Sequence, residues 1–324
     1  MTLTNEWPLW ILASIYIFSA ICIGFYVEYY KLHKIHFKEA CIISISWILA
    51  ALIFNIILWY YLKTKFNYTL ANQKALEFFT GYLIEKSLSL DNIFVFVLIF
   101  KYFDVPKNYQ RLVLTYGIVT AILLRLIMIL SGVWVIEKIH WILRVFGVFL
   151  IISGSKILTP LFYNKPKTYL KQLKDPDARQ SKFSNFIINL CHKYLKTTKT
   201  VHQKNLFIIQ HGKLRATPLF LAMILIEISD IIFATDSIPA IFAILDDPLI
   251  IITSNIFAIL GLRSLYFFLA TGLKRFCFLT PGVAIILIFI GIKMVFSFEI
   301  SIITTLATIS SILVGSILLS LNKS

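Results

Sequence analysis

Five carboxylates lie inside stretches that are otherwise apolar: Glu85, Asp91, Glu227, Asp230 and Asp236. Beside them stand the amide of Asn92 and the hydroxyls of Ser87, Ser89, Ser229, Thr235 and Ser237. No histidine or cysteine joins the group. An all-oxygen donor set suits hard cations, Ca2+, Mg2+ or Mn2+, rather than Zn2+ or Cu+. Lys86, Arg125, Arg144, Arg263 and Lys293 fall in the same apolar stretches. The acids therefore have an alternative use as partners in buried ion pairs, and the two uses are compatible. Each charge near a bilayer centre costs about 3 kcal/mol on insertion scales, so such residues are rarely decorative. The chain carries no Walker A loop, HExxH or GxSxG motif, and its chemistry reads as non-enzymatic.

The spacing makes a demand on the elements that carry these groups. Residues six apart on a continuous helix are rotated by about 240°, so Glu85 and Asp91 do not share a face, nor do Asp230 and Asp236. Glu227 and Asp230, three apart, do. A break in each helix, at Asp91-Asn92 and over 236–239, would let the carboxylates of each span converge and free backbone carbonyls as ligands. Ser89 and Ser237 fit such breaks, and Pro239 suits the first turn of a second half-helix.

Those elements are membrane spans. Hydrophobic types make up 59 % of the 324 residues and charged types 15 %, with mean hydropathy +0.83. A soluble domain is nearer half apolar and a quarter charged. The composition excludes a soluble enzyme, a disordered protein and a nucleic-acid module. The net charge of +15 then reflects basic loops held on the cytoplasmic side, not a nucleic-acid partner. Cys22, Cys41, Cys191 and Cys277 form no CxxC pair and imply neither a disulfide framework nor a thiolate metal site.

Apolar runs of spanning length cover residues 9–27, 41–62, 76–100, 112–133, 141–158, 218–245, 249–273, 282–298 and 302–321. The expected fold is an all-α polytopic membrane protein of about nine transmembrane helices. Basic residues assign its orientation. With the N-terminus outside, Lys31, Lys34, Lys38, Lys101, Lys107, Arg111, Lys274, Arg275 and Lys323 fall on inside loops. Only Lys63, Lys65, Lys74 and Lys138 fall outside, which favours N-out and C-in. Residues 159–217 form one long basic cytoplasmic loop. It reads first as a tether between the two halves; within it the pattern also fits an amphipathic helix over 183–195, suited to an anionic membrane surface, and a hairpin over 205–217 around His211-Gly212.

The pattern also repeats. Glu85-x5-Asp91-Asn92-Ile93 in the third run matches Asp230-x5-Asp236-Ser237-Ile238 in the sixth. Ala121-Ile-Leu-Leu-Arg125 in the fourth matches Ala258-Ile-Leu-Gly-Leu-Arg263 in the seventh. Gly147-Val148 and Gly154-Ser155-Lys156 in the fifth match Gly282-Val283 and Gly291-Ile292-Lys293 in the eighth. Three matches in register indicate an internal repeat. Because a repeat has three spans, the second copy enters from the opposite side, giving the inverted construction common in secondary transporters. The chain reads as a single membrane domain over 1–324. Flanking spans occupy 1–75, the first repeat 76–158, the loop 159–217, the second repeat 218–298 and the last span 299–324.

The stretches Glu85-Lys-Ser-Leu-Ser-Leu-Asp91-Asn92-Ile-Phe, Glu227-Ile-Ser-Asp230-Ile-Ile-Phe-Ala-Thr-Asp236-Ser-Ile-Pro239-Ala and Ser254-Asn255-Ile-Phe-Ala-Ile-Leu-Gly-Leu-Arg263-Ser-Leu-Tyr closely resemble the TerC/Alx family of integral membrane proteins. The resemblance covers essentially the whole chain. It implies a divalent-cation exporter of the bacterial inner membrane with Mn2+ as cargo; the donor chemistry keeps Ca2+ as the alternative, and no permanently bound cofactor is expected. The resemblance implies Glu85, Asp91, Asn92, Glu227, Asp230 and Asp236 as ion ligands, supported by Asn255, Arg125 and Arg263. Two other readings stay open. One is a membrane-assembly or metalation partner of the secretion pathway acting through the basic loop. The other is an oxyanion transporter in keeping with the family's link to tellurite resistance. The partners expected are the lipid bilayer and a divalent ion, and no nucleic acid.

Overall fold

The computed structural model describes residues 3, 6–30, 37–103, 105–138, 141–163, 205–210, 213–272, 278–296, 298 and 300–322. The helices are α1 (Trp7–Tyr30), α2 (Phe37–Lys65), α3 (Tyr68–Tyr102), α4 (Lys107–Lys138), α5 (Ile142–Tyr163), α6 (Pro218–Phe242), α7 (Pro248–Leu260), α8 (Leu262–Gly272), α9 (Leu279–Phe296) and α10 (Ile302–Asn322). The protein is a helical membrane bundle. Among the described residues seven stretches are long and apolar enough to cross a membrane: in α1, α2, α4, α6, the pair α7–α8, α9 and α10. α3, which carries several charges, and α5 are not among these stretches, although both pack within the bundle. The amphipathic helix expected over 183–195 lies outside the described residues. The expected hairpin is present: β1 (Phe207–Gln210) pairs antiparallel with β2 (Lys213–Ala216), Gln210 opposite Lys213.

Local chemistry starts the core helices. Thr217 precedes α6 in an extended conformation and its hydroxyl accepts from Phe220 N, with Pro218 at the first helical position. Asp247 does the same for α7, accepting from Leu249 N ahead of Pro248. A hydroxyl or carboxylate cap followed by proline satisfies one orphan amide and removes another.

Two expectations are corrected. Both α3 and α6 run as continuous helices through 91–92 and 236–239. Other hydroxyls of these spans bond back into their own helix: Ser87 to Leu83 O, Ser229 to Leu225 O and Thr235 to Ile232 O. This back-bonding meets their polarity without unwinding. Pro239 lies within three residues of the end of α6, where a missing amide bond interrupts little. The interruption falls in the seventh apolar run, at Gly261 between α7 and α8.

The packing of α3–α5 against α6–α9 is reciprocal. α3 lies on α7 as α6 lies on α4, and α5 lies on α6 as α9 lies on α3; α3 also meets α6, and α4 meets α7. α5 and α9 make the most intimate contact. A Cβ at Gly147 would come within 2.9 Å of Gly291 O, and one at Gly291 within 2.7 Å of Gly147 O. Gly154 abuts Ala284 O at 2.7 Å in the same way. That pairing runs antiparallel, and only glycine lets two backbones approach so closely. α1 and α2 dock on this core through the rings of Tyr16, Phe54, Phe78 and Phe257. The outward face of α1, with Trp7, Ile11, Ile15 and Phe18 exposed at helical spacing, is a lipid-facing stripe.

Candidate functional site

Glu85 is the central residue of α3, and Asp230 the central residue of α6. Between them, from α4, comes Arg125. Its Nε and Nη2 form a fork on Asp230 at 3.1 and 2.9 Å, while Nη1 donates to Glu85. Bidentate geometry of this kind suits the planar guanidinium. Nη1 also lies 3.5 Å from Ser237 Oγ. Asn92 Nδ2 donates to Asp230 Oδ1 at 3.2 Å, and Asn255 Nδ2 from α7 donates to Glu85 Oε2 at 3.1 Å. Ser89 Oγ donates to Glu85 Oε1 at 3.4 Å. Asn92 meets Asp230 seven residues from where Glu85 approaches Ser237, so α3 and α6 cross antiparallel about this cluster. Glu85, Asn92, Arg125 and Asn255 are each at most 2 % exposed, and Asp230 5 %. The charges are therefore held out of reach of lipid and largely out of reach of water.

Each amide must turn its nitrogen toward a carboxylate, because an ionised carboxylate only accepts. That leaves Asn92 Oδ1 and Asn255 Oδ1 buried without a partner among the described residues. Asp236 adds another such oxygen: Ser153 from α5 hydrogen-bonds its carboxylate, but Oδ1 has no partner. Glu85, Asn92, Arg125, Asp236 and Ser237 line one cavity of about 50 Å3, closed by Phe233, Val283 and Leu287. A second, of about 20 Å3, lies beyond Asp230 and is lined by Glu227, Asp230, Arg263 and Gly117. Each is large enough for water or an ion. Glu227 has neither oxygen partnered among the described residues, and a Cβ at Gly117 would meet its Oε1 at 3.0 Å.

Of the residues expected in the site, Glu85, Asn92, Asp230, Ser89, Arg125, Ser237 and Asn255 form the central cluster. Glu227 and Arg263 border the second cavity, with Arg263 Nη1 donating to Thr115 Oγ1 at 2.6 Å. The side chain of Asp91 lies outside the described residues, and with it the expected approach of Asp91 to Asp236. Convergence of all five carboxylates, Asp91 included, therefore cannot be read from the described residues, while Arg125 separates Glu85 from Asp230. Among the described residues no three acidic, histidine or cysteine side chains are grouped to hold a metal. Arg125 stands where the carboxylates would meet, and Asp236 lies six residues along α6 from Asp230. Arg144 sits exposed in the first turn of α5.

Sequence reasoning missed Ser153, Thr115 and the role of Gly117. Ser153 carries no sequence signal, being one small polar residue among glycines. Lys86, noted only as an intramembrane charge, donates to Ala258 O at 3.2 Å, in the last turn of α7 beside the break at Gly261. A cation there suits the negative end of that helix.

An apolar exterior around a dry, charged centre defines a polytopic integral membrane protein. The chain belongs to the TerC family: the family described as "Integral membrane protein TerC family" matches residues 70–324. It is 42 % identical over 290 residues to the "Putative membrane-bound redox modulator Alx" of Escherichia coli strain K12, covering 89 % of this chain and 86 % of that protein. It is 40 % identical over 322 residues to the "Uncharacterized membrane protein STKORF319" of Myxococcus xanthus, covering 98 % and 92 %. A membrane protein of Rickettsia bellii, described as uncharacterized, is 39 % identical over 309 residues, covering 94 % and 95 %. No solved structure matches.

Proposed function

We propose that the protein is a divalent-cation exporter of the bacterial inner membrane, not an enzyme, with Mn2+ as its principal cargo and Ca2+ as the alternative. The observation that carries this reading is the cavity lined by Glu85, Asn92 and Asp236, where buried oxygens of Asn92 and Asp236 have no partner among the described residues. Those oxygens with the Glu85 carboxylate form an all-oxygen donor set, the chemistry of hard cations. With Asp230 and Arg125 the cluster carries a formal charge of two negatives, which a divalent ion balances. Nine spans with the N-terminus outside are part of the proposal. So is a core built as an inverted repeat of α3–α5 and α6–α9, for which the reciprocal packing and the antiparallel α5–α9 contact are the support. In that orientation Glu227 borders a cavity on the cytoplasmic side of Asp230 and Asp236 one on the outward side, about 13 Å further along α6. The two would serve as successive stations.

An oxyanion cargo fits less well, because the Arg125 guanidinium is already shared by two carboxylates. The test is uptake into inside-out vesicles or proteoliposomes, run separately with Mn2+, Ca2+, Mg2+ and Zn2+, for the wild type and Asp236→Asn. The reading predicts saturable Mn2+ flux that Asp236→Asn abolishes while the variant still inserts. Equal flux in the two proteins overturns it.

A further inference from the structure

Arg125 does more than balance the acids. The fork of Nε and Nη2 on Asp230 is complete without Nη1. The Nη1 arm reaches out of that fork to Oε1 of Glu85, a residue that lines the same cavity as Asn92 and Asp236, whose Oδ1 atoms have no partner among the described residues. Among the described residues Glu85 accepts from Asn255 on Oε2 and from Ser89 and Nη1 on Oε1, so Nη1 is the one cation among these donors and the one an entering ion would displace. A cation entering the cavity and taking Asp236 Oδ1 and Asn92 Oδ1 needs Glu85 for a third protein ligand.

We infer that the Nη1 arm of Arg125 is a tethered stand-in for the cargo, competing with it for Glu85 while the fork on Asp230 keeps the guanidinium in place. This rests on the divalent-cation reading above and deepens it. The competition is what makes release possible. A divalent ion held by three or more buried oxygens with no competing cation would bind tightly and leave slowly. A fixed positive charge next to the site lowers its affinity, and its return to Glu85 compensates the oxygen that the departing ion gives up. The same arm explains how the carboxylates survive the bilayer interior without cargo: Glu85 is never left unpaired, which would be costly in a dry site. Arg125 is in this account a positioning and release residue. Lysine would not replace it, because a single ammonium is a point donor that cannot fork one carboxylate while reaching the other.

The test is equilibrium binding of Mn2+ and Ca2+ to purified protein in detergent, by calorimetry, paired with Mn2+ flux in proteoliposomes. Arg125→Gln removes one positive charge within a few ångströms of the ion and is expected to tighten Mn2+ binding roughly tenfold or more, while flux falls to background. Arg125→Lys is expected to bind severalfold tighter than wild type, with reduced flux. The double variant Glu85→Gln/Arg125→Gln is expected to lose the tightening, since the contested carboxylate is gone. Wild-type affinity or weaker in Arg125→Gln overturns the inference. If Arg125→Gln cannot be recovered folded, the same criterion applied to Arg125→Lys decides. A wild-type protein that binds neither ion overturns the divalent-cation reading itself, a result distinct from a wild type that binds and an Arg125→Gln protein that binds no tighter.

Discussion

Among the described residues, two buried charge clusters are built in opposite senses. Where the starts of α3 and α7 meet the N-terminal segment, Lys74 lies between Glu77 and Asp247, at 2.8 and 3.3 Å. Every carboxylate oxygen there has a donor. Gln73 donates to the second oxygen of Glu77, and the backbone amides of Leu3 and Leu249 donate to Asp247. At mid-bundle Arg125, Glu85 and Asp230 are equally dry, but the surrounding Asn92, Asn255, Asp236 and Glu227 keep acceptors without donors. Both clusters are ionic and both are buried; only one holds surplus oxygen facing a cavity. Buried polar groups are normally satisfied, so the satisfied cluster reads as a structural clasp and the surplus one as a place that receives a cation.

Asp230→Asn should have the largest effect on stability. It takes the fork from Arg125 and leaves a buried guanidinium half-paired, a loss of about 3–5 kcal/mol, and flux should disappear with it. A thermal melt in detergent beside a flux assay checks both. Lys74→Met should destabilise by a similar or slightly smaller amount, about 3 kcal/mol, because two carboxylates lose their shared cation. Flux per folded molecule should hold, since this clasp touches neither cavity. A Lys74→Met protein that folds well and loses flux would erase the distinction between the clusters.

Much of this was legible in the sequence. Intramembrane Glu85 and Asp230 stood out against apolar neighbours, and their places at the centres of α3 and α6 follow from the lengths of the runs. The hairpin around His211-Gly212 was visible in its turn residues. The clasp was not: Lys74 reads by hydropathy as a loop residue, and Asp247 lies far from it along the chain. The continuity of α3 and α6 was hidden because a serine or threonine is both a cap and a back-bonding residue, and spacing alone does not choose between them. Arg125 was visible as a charge, but its place between two acids 40 and 105 residues away is set by long-range packing.

Gly117→Ala is the smallest change. The added methyl would press on Glu227 Oε1 at 3.0 Å, and the carboxylate must shift by a few tenths of an ångström. Stability should change by less than about 1 kcal/mol, with a severalfold fall in Mn2+ flux. Unchanged flux would remove Glu227 from the path and leave the cavity at Asp236 as the sole station.

The central claim is that surplus buried oxygen marks where the cation binds. Its most direct test is the stoichiometry and affinity of Mn2+ binding in wild type, Asp236→Asn and Lys74→Met, measured by calorimetry on the same preparations. The account predicts a saturable site in wild type, the same site in Lys74→Met at nearly unchanged affinity, and its loss in Asp236→Asn. Asp236→Asn should also melt within about 1 kcal/mol of wild type, because its Oδ1 gives up no bond. Undiminished Mn2+ binding in Asp236→Asn would contradict the account.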